Sequence, residues 1–147
     1  MRYKAVIEIP KGSNRRIHMR YDGNGFEDFG PIKDKIPVND GVMPVAYGYI
    51  LNVVNKNEKD NVDAIIFSNK SYRTGDEIEA EIIGMLKRDD NDHKIVMVDD
   101  TMPYKDFMEV SENERRLILK YFAYNHKSIT LESRDVALQY LVDCSTS

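Results

Sequence analysis

The strongest constraint in this sequence is a change of period. Through its first two thirds apolar residues recur at every second position, the spacing of a strand with one face turned inward; from Ser111 they recur at every third and fourth, the spacing of a helix. Tyr3, Ala5, Ile7 and Ile9 alternate with Lys4, Val6 and Glu8 and stop at Pro10-Lys11-Gly12-Ser13. Ile17, Met19 and Tyr21 alternate with Arg16, His18 and Arg20, and stop at Asp22-Gly23-Asn24-Gly25, residues that tolerate a positive φ. Further β-rich runs occupy 49–54, 62–67, 77–87 and 94–98. Ser111-Glu112-Asn113-Glu114 then pairs a Ser cap with an acid three residues on, and Leu117, Ile118, Tyr121 and Phe122 follow at helical spacing. A second helix is expected over 130–141, with Leu131, Val136, Leu138 and Leu141 turned inward.

No repeat and no Pro/Ser/Gly-rich linker interrupts this order. The 147 residues therefore read as one α+β domain, 1–147, in which short strands form a small closed barrel with helices packed outside. A hydrophobic fraction of 41%, with nine Tyr and five Phe, suffices for one core. The 21 basic and 25 acidic residues leave a net charge of −4, which provides no general footprint for nucleic acid. Cys144 is the single cysteine, so neither an internal disulfide nor a cysteine-based zinc site is open to the chain, and a reducing, cytoplasmic setting is expected. The opening MRYKAVIEIPKGS carries Arg2, Lys4 and Glu8 and does not read as a signal peptide. The longest uncharged run, 41–55, is broken by Gly, Pro and Asn, and falls short of the roughly 18 apolar residues a membrane helix needs.

The chemistry lies in the acids. Glu58 and Asp60 lead into an aliphatic strand that holds Asp63, where an apolar residue would ordinarily stand. Glu58 and Asp60 share one face of an extended chain and Asp63 takes the other, so all three converge only if the chain bends near Asn61. A second acidic group, Asp89, Asp90 and Asp92, fills the link between two strands. Two like charges about 4 Å apart repel by roughly 4 kcal/mol at an effective dielectric of 20, so inward-facing carboxylates need cations between them. Oxygen ligands without His or Cys favour Mg²⁺ or Mn²⁺. Solvated turns remain the ordinary explanation for both acidic links; Asp63 is the exception. Neither link is an EF-hand, since the Gly and Glu of that loop are missing. Lys11-Gly12-Ser13-Asn14-Arg15-Arg16 lacks the ending of a P-loop. Lys35, Lys87, Lys94 and Lys127 read individually as surface lysines, Tyr47-Gly48-Tyr49 as core aromatics around tight backbone, and His18, His93 and His126 show no metal-binding spacing.

Taken in order, Val6-Ile7-Glu8-Ile9-Pro10-Lys11-Gly12-Ser13, Pro44-Val45-Ala46-Tyr47-Gly48-Tyr49-Ile50, Asp60-Asn61-Val62-Asp63, Gly84-Met85-Leu86-Lys87 and Asp92-His93-Lys94 resemble the soluble family I inorganic pyrophosphatases. The family signature Asp-x-Asp-Pro-x-Asp stands here as Glu58-Lys59-Asp60-Asn61-Val62-Asp63. The resemblance implies a five-stranded OB-like barrel with flanking helices, and Mg²⁺-dependent hydrolysis of pyrophosphate, with Mn²⁺ as a substitute. It implies that Glu8, Glu58, Asp63, Asp90 and Asp92 hold metal and that Asp60 accepts the proton of the attacking water. Arg16, Lys35, Tyr47, Lys94 and Lys127 would hold the phosphate oxygens, with His126 an equal match to Lys127. It also implies a small-molecule phosphoanhydride substrate and a homo-oligomer, a hexamer in the short members.

The departures from the family fall on the phosphate side. Arg16 replaces a Lys, His18 a Glu and Lys35 an Arg, the last exchanging a planar fork for a point charge. Met43 stands for a Tyr, and the acidic link is shorter. Two competing expectations follow: the same metal cluster acting on an organic diphosphate, and an inactive barrel that only binds a ligand.

Overall fold

Alternation along the first strand builds a closed sheet. In the computed structural model, which describes residues 2–20, 22–55 and 60–145, β1 (Arg2–Ile9) runs antiparallel to β4 (Ala46–Asn55) on one edge. On its other edge it pairs with the first half of β6 (Glu77–Arg88). β4 continues to β5 (Asp60–Phe67), β5 lies parallel to β7 (Lys94–Val98), and β7 returns antiparallel to β6, so five strands close on themselves. This is the OB-like barrel of the expectation. β2 (Arg15–Met19) and β3 (Phe26–Pro31) form a separate two-stranded ribbon. β3 is absent from the sequence reading because Gly30, Pro31 and two acids mask its pattern.

The apolar run of β5 is buried on both faces. Val62, Ala64 and Ile66 join Ala5, Ile7, Ile82, Ile95 and Met97 in one cluster, capped by Ala137 and Leu141. Ile65 and Phe67 face the other way, with Tyr47, Val96 and Val98, against Phe107, Ile118, Tyr121 and Phe122. Helix α1 (Glu112–Phe122) thus covers one face and α2 (Arg134–Ser145) the other. Gly48 lets β4 approach β1, for a Cβ there would lie 1.8 Å from the Val6 carbonyl oxygen. The residues that flank it, Tyr47 and Tyr49, are both buried.

Helix α1 starts as its sequence indicates. Ser111 Oγ accepts from the Glu114 amide at 3.3 Å and lies 3.4 Å from the Glu114 carboxylate. The second helix differs from expectation. Residues 129–133 form β8 (Ile129–Ser133), paired with the last half of β6 from Gly84–Ser133 to Arg88–Ile129, and the helix begins only at Arg134. The unpaired edge of β6 accepts this segment as a strand, overriding its local helical spacing. The helix start takes its acceptor from afar: the Arg134 amide donates to Asp106 Oδ2 at 3.2 Å. Val136, expected inside, is 42% exposed, while Leu141 is fully buried. No helix among the described residues is long and apolar enough to cross a membrane.

Candidate active site

Parity and register place the central pair. Asp63 shares the α1-facing side of β5 with Ile65 and Phe67, and Lys94 shares that side of β7 with Val96 and Val98. The parallel ladder sets Asp63 opposite Lys94. Lys94 is 3% exposed, and its Nζ donates to Asp63 Oδ2 at 2.6 Å, Asp92 Oδ2 at 3.0 Å and the Tyr47 hydroxyl at 3.0 Å. Burial pushes the Asp63 carboxyl up to about 6, with Lys94 opposing the shift and Asp92 adding to it. Burial pushes on the less enclosed Asp92 as well, but Lys94 holds it below the usual carboxylate range. Burial, reinforced by Asp63, Asp92 and Glu8, raises the Tyr47 hydroxyl well above its ordinary value, so it stays a neutral donor.

Two connected hollows open beside this cluster. The larger, about 900 Å³, is lined by Glu8, Asp60, Asp63 and Asp92 among others. The smaller, about 330 Å³, is lined by Arg16, Lys35, Arg88, Lys94 and His126 among others. Arg16, His18 and Tyr47 border both. The result is an acidic half and a basic half that meet along Arg16, His18 and Tyr47. Asp60 and Asp63 line the same hollow despite opposite parity. The irregularity that permits this lies in β4, where the pairing with β5 shifts between Tyr49 and Val54 and Asn52 takes φ 63°.

The sequence candidates divide as follows. Glu8 is buried and anchored by β2: its Oε2 accepts from the Met19 amide at 2.7 Å, with His18 Nδ1 at 3.6 Å. Asp60 is exposed and accepts from the Asn61 amide at 2.8 Å. Glu58 lies outside the described residues. The acidic link splits. Asp92 turns into the cleft, whereas Asp90 accepts from Arg88 Nη2 at 2.7 Å and from the Asp92 amide at 3.0 Å, and lines neither hollow. Asp89 accepts from the Lys127 amide and lies 3.0 Å from His126 Nδ1. Asp89, Asp90 and His126 thereby bring ligand atoms within 4.8 Å of one another. Of the C-terminal pair, His126 lines the basic half and Lys127 does not. Arg88 is the cation that sequence reasoning missed; a basic residue at a strand end carries no signal of facing a cleft.

A divalent cation fits the acidic half. Asp63 and Asp92 already converge on one positive charge, and Glu8 and Asp60 line the same space with further oxygen atoms, a hard donor set.

The Pyrophosphatase family, described as inorganic pyrophosphatase, matches residues 5–143. An inorganic pyrophosphatase from Helicobacter pylori is 25% identical over 126 residues, covering 80% of this chain and 69% of the relative. Another, from Ureaplasma parvum, is 29% identical over 106 residues, covering 70% of this chain and 55% of the relative. A third, from Neisseria meningitidis, is 29% identical over 127 residues, covering 82% and 68%. The chain thus aligns with between half and just over two thirds of the length of these relatives. Among solved structures, the inorganic pyrophosphatase of Thermus thermophilus superposes with a TM-score of 0.83 at 21% identity, covering 98% of this chain and 89% of the other. That of Ehrlichia chaffeensis gives 0.82 at 20% identity, covering 97% and 92%. These two likenesses concern the fold alone. The sequence match spans nearly the whole barrel and both helices, and this chain belongs to the inorganic pyrophosphatase family.

Proposed function

We propose that this chain hydrolyses inorganic pyrophosphate to two phosphates with the help of Mg²⁺, Mn²⁺ being a substitute. The observation that carries the reading is the Asp63–Lys94–Asp92 cluster at the junction of an acidic and a basic half-cleft. Family membership supports a divalent metal. Glu8, Asp63 and Asp92 are the ligands we assign among the described residues, with Glu58 as a further one by sequence. Bound there, the ion supplies Lewis-acid chemistry: it acidifies water and screens the charge of the substrate.

The chain's own groups do the rest. Asp60, exposed at the mouth of the acidic half, accepts the proton of the attacking water. A water oxygen–phosphorus bond forms as the bridging phosphorus–oxygen bond breaks, and the bridging oxygen leaves on the second phosphate. Arg16, Lys35 and Lys94 hold phosphate oxygens, Tyr47 donates its hydroxyl, and His126 takes the C-terminal place shared in sequence with Lys127. Asp90, with both oxygens engaged, holds Arg88 rather than metal in this assignment. A hexamer in the cytoplasm follows from the resemblance to the short family members and from the chain's single cysteine, Cys144, which is buried.

Phosphate release from pyrophosphate with Mg²⁺ tests the reading. Asp60→Asn and Asp63→Asn are expected to lower turnover by about 100-fold or more; equal rates in the native protein and both variants would remove the mechanism. A second reading rests on Ile36, Met43 and Phe122, which give the basic half an apolar wall suited to an organic diphosphate. Competition between pyrophosphate and nucleoside or isoprenoid diphosphates decides it, and a strong preference for pyrophosphate rejects it.

A further inference from the structure

Arg88 ends β6 and sits where the β6–β7 turn meets the basic half of the cleft. Its side chain is 13% exposed, and one end of the guanidinium is fixed by Asp90 Oδ2 at 2.7 Å. Asp90 is itself fixed by the Asp92 amide at 3.0 Å. The Arg88 amide donates to His93 Nδ1 at 3.0 Å, so the backbone under the side chain is pinned as well. The Nε–H is buried and has no acceptor among the described residues. An unsatisfied buried donor is costly, more so on a charged group, and the bond from Nη2 to Asp90 holds the fork in place. A planar guanidinium beside Lys94, Arg16 and Lys35 in a cleft of this size offers what a tetrahedral oxyanion accepts.

We propose that Arg88 is a phosphate-binding residue of this chain, its guanidinium oriented by Asp90 and presented to an oxygen of a phosphoryl group in the basic half-cleft. The inference rests on the pyrophosphate reading above for the identity of the anion. It assigns to the β6–β7 turn a planar fork that Lys35, as a point charge, does not supply. Asp90 acts as a positioning residue, through Arg88.

The probe is methylene diphosphonate, a non-hydrolysable diphosphate, titrated calorimetrically with Mg²⁺ into the native protein, Arg88→Gln, Arg88→Lys and Arg116→Gln. Arg116 pairs with Glu112 on the exposed side of α1 and controls for net charge. Arg88→Gln is expected to weaken binding by about 10- to 100-fold and Arg88→Lys by less, with Arg116→Gln unchanged. In turnover, KM for pyrophosphate should rise more than kcat falls. A purely structural Arg88–Asp90 pair would lower the melting temperature and leave affinity alone; that result overturns the inference. If the glutamine variant does not fold, the lysine variant decides, and native affinity there overturns it too. Native protein that binds the diphosphonate through Arg88 but releases no phosphate would sink the hydrolase reading and leave this one standing. Native protein that binds nothing would sink the inference outright.

Discussion

Lys94 carries its charge to a place from which water is almost excluded, and it is tolerated because two carboxylates and a phenol meet it there. Its neighbours divide the cost unequally. Asp63 is pushed toward the protonated form by burial, while Lys94 keeps Asp92 ionised. Removing the ammonium leaves two facing acids without a counter-charge. Lys94→Met should therefore destabilise the metal-free protein by about 2 kcal/mol, below the usual loss for a broken buried pair because both carboxylates keep some solvent contact. Mg²⁺ should raise the melting temperature of this variant more than that of the native protein, since the ion then supplies the missing charge. Thermal melts with and without Mg²⁺ check both statements, and a variant as stable as the native protein would contradict them. At this scale the sequence was informative about anomalies and silent about ordinary residues. Asp63 stands out as an acid in an aliphatic strand, whereas Lys94 reads individually as a surface lysine and Arg88 carries no signal at all. Their roles depend on neighbours brought in by the barrel: Asp63 lies 31 positions from Lys94, and Tyr47 lies 47.

Elements were legible where their signals are local. The alternation of β1, the β7 run and the Ser111 cap of α1 all stand where the residues place them. β3 aside, what was missed depends on partners far along the chain. β8 was mistaken for helix because its partner, the far half of β6, lies about 45 residues away by the register that pairs Gly84 with Ser133 and Arg88 with Ile129. Helix α2 takes the acceptor for its first amide from Asp106, 28 positions away. Gly48 is a different case, legible as tight backbone yet without an obvious partner until β1 lies against it. Its hydrogen faces the Val6 carbonyl so closely that Gly48→Ala forces β1 and β4 apart in the stretch of β4 that carries Tyr47. A loss of about 3 kcal/mol or more is expected in denaturant unfolding, with diphosphonate binding impaired in whatever folds. A substitution absorbed with less than about 1 kcal/mol would mean that the two strands can separate freely.

For the molecule as a whole, metal, proton and stability are linked through Asp63. A carboxyl raised to about 6 is largely protonated at lower pH, and a cation must displace that proton to bind. The sign follows: affinity for Mg²⁺ falls as pH drops through about 6 and is fully developed above it. Because a ligand that binds only the folded state stabilises it by mass action, Mg²⁺ should raise the melting temperature more at about pH 7.5 than at about pH 5, and should release protons near pH 6. Melts at the two pH values, and calorimetry in buffers of different ionisation enthalpy, measure the two effects; an equal rise at both would break the link. The parallel alignment of β5 with β7 has a wider consequence. Because Asp63 and Lys94 are cross-strand partners in the same ladder that seals the barrel, a slip of one residue would point one of them away from the other and open the wall at once. Misassembled chains should thus be inert as well as leaky, and catalysis by a preparation becomes a direct count of correctly sealed molecules.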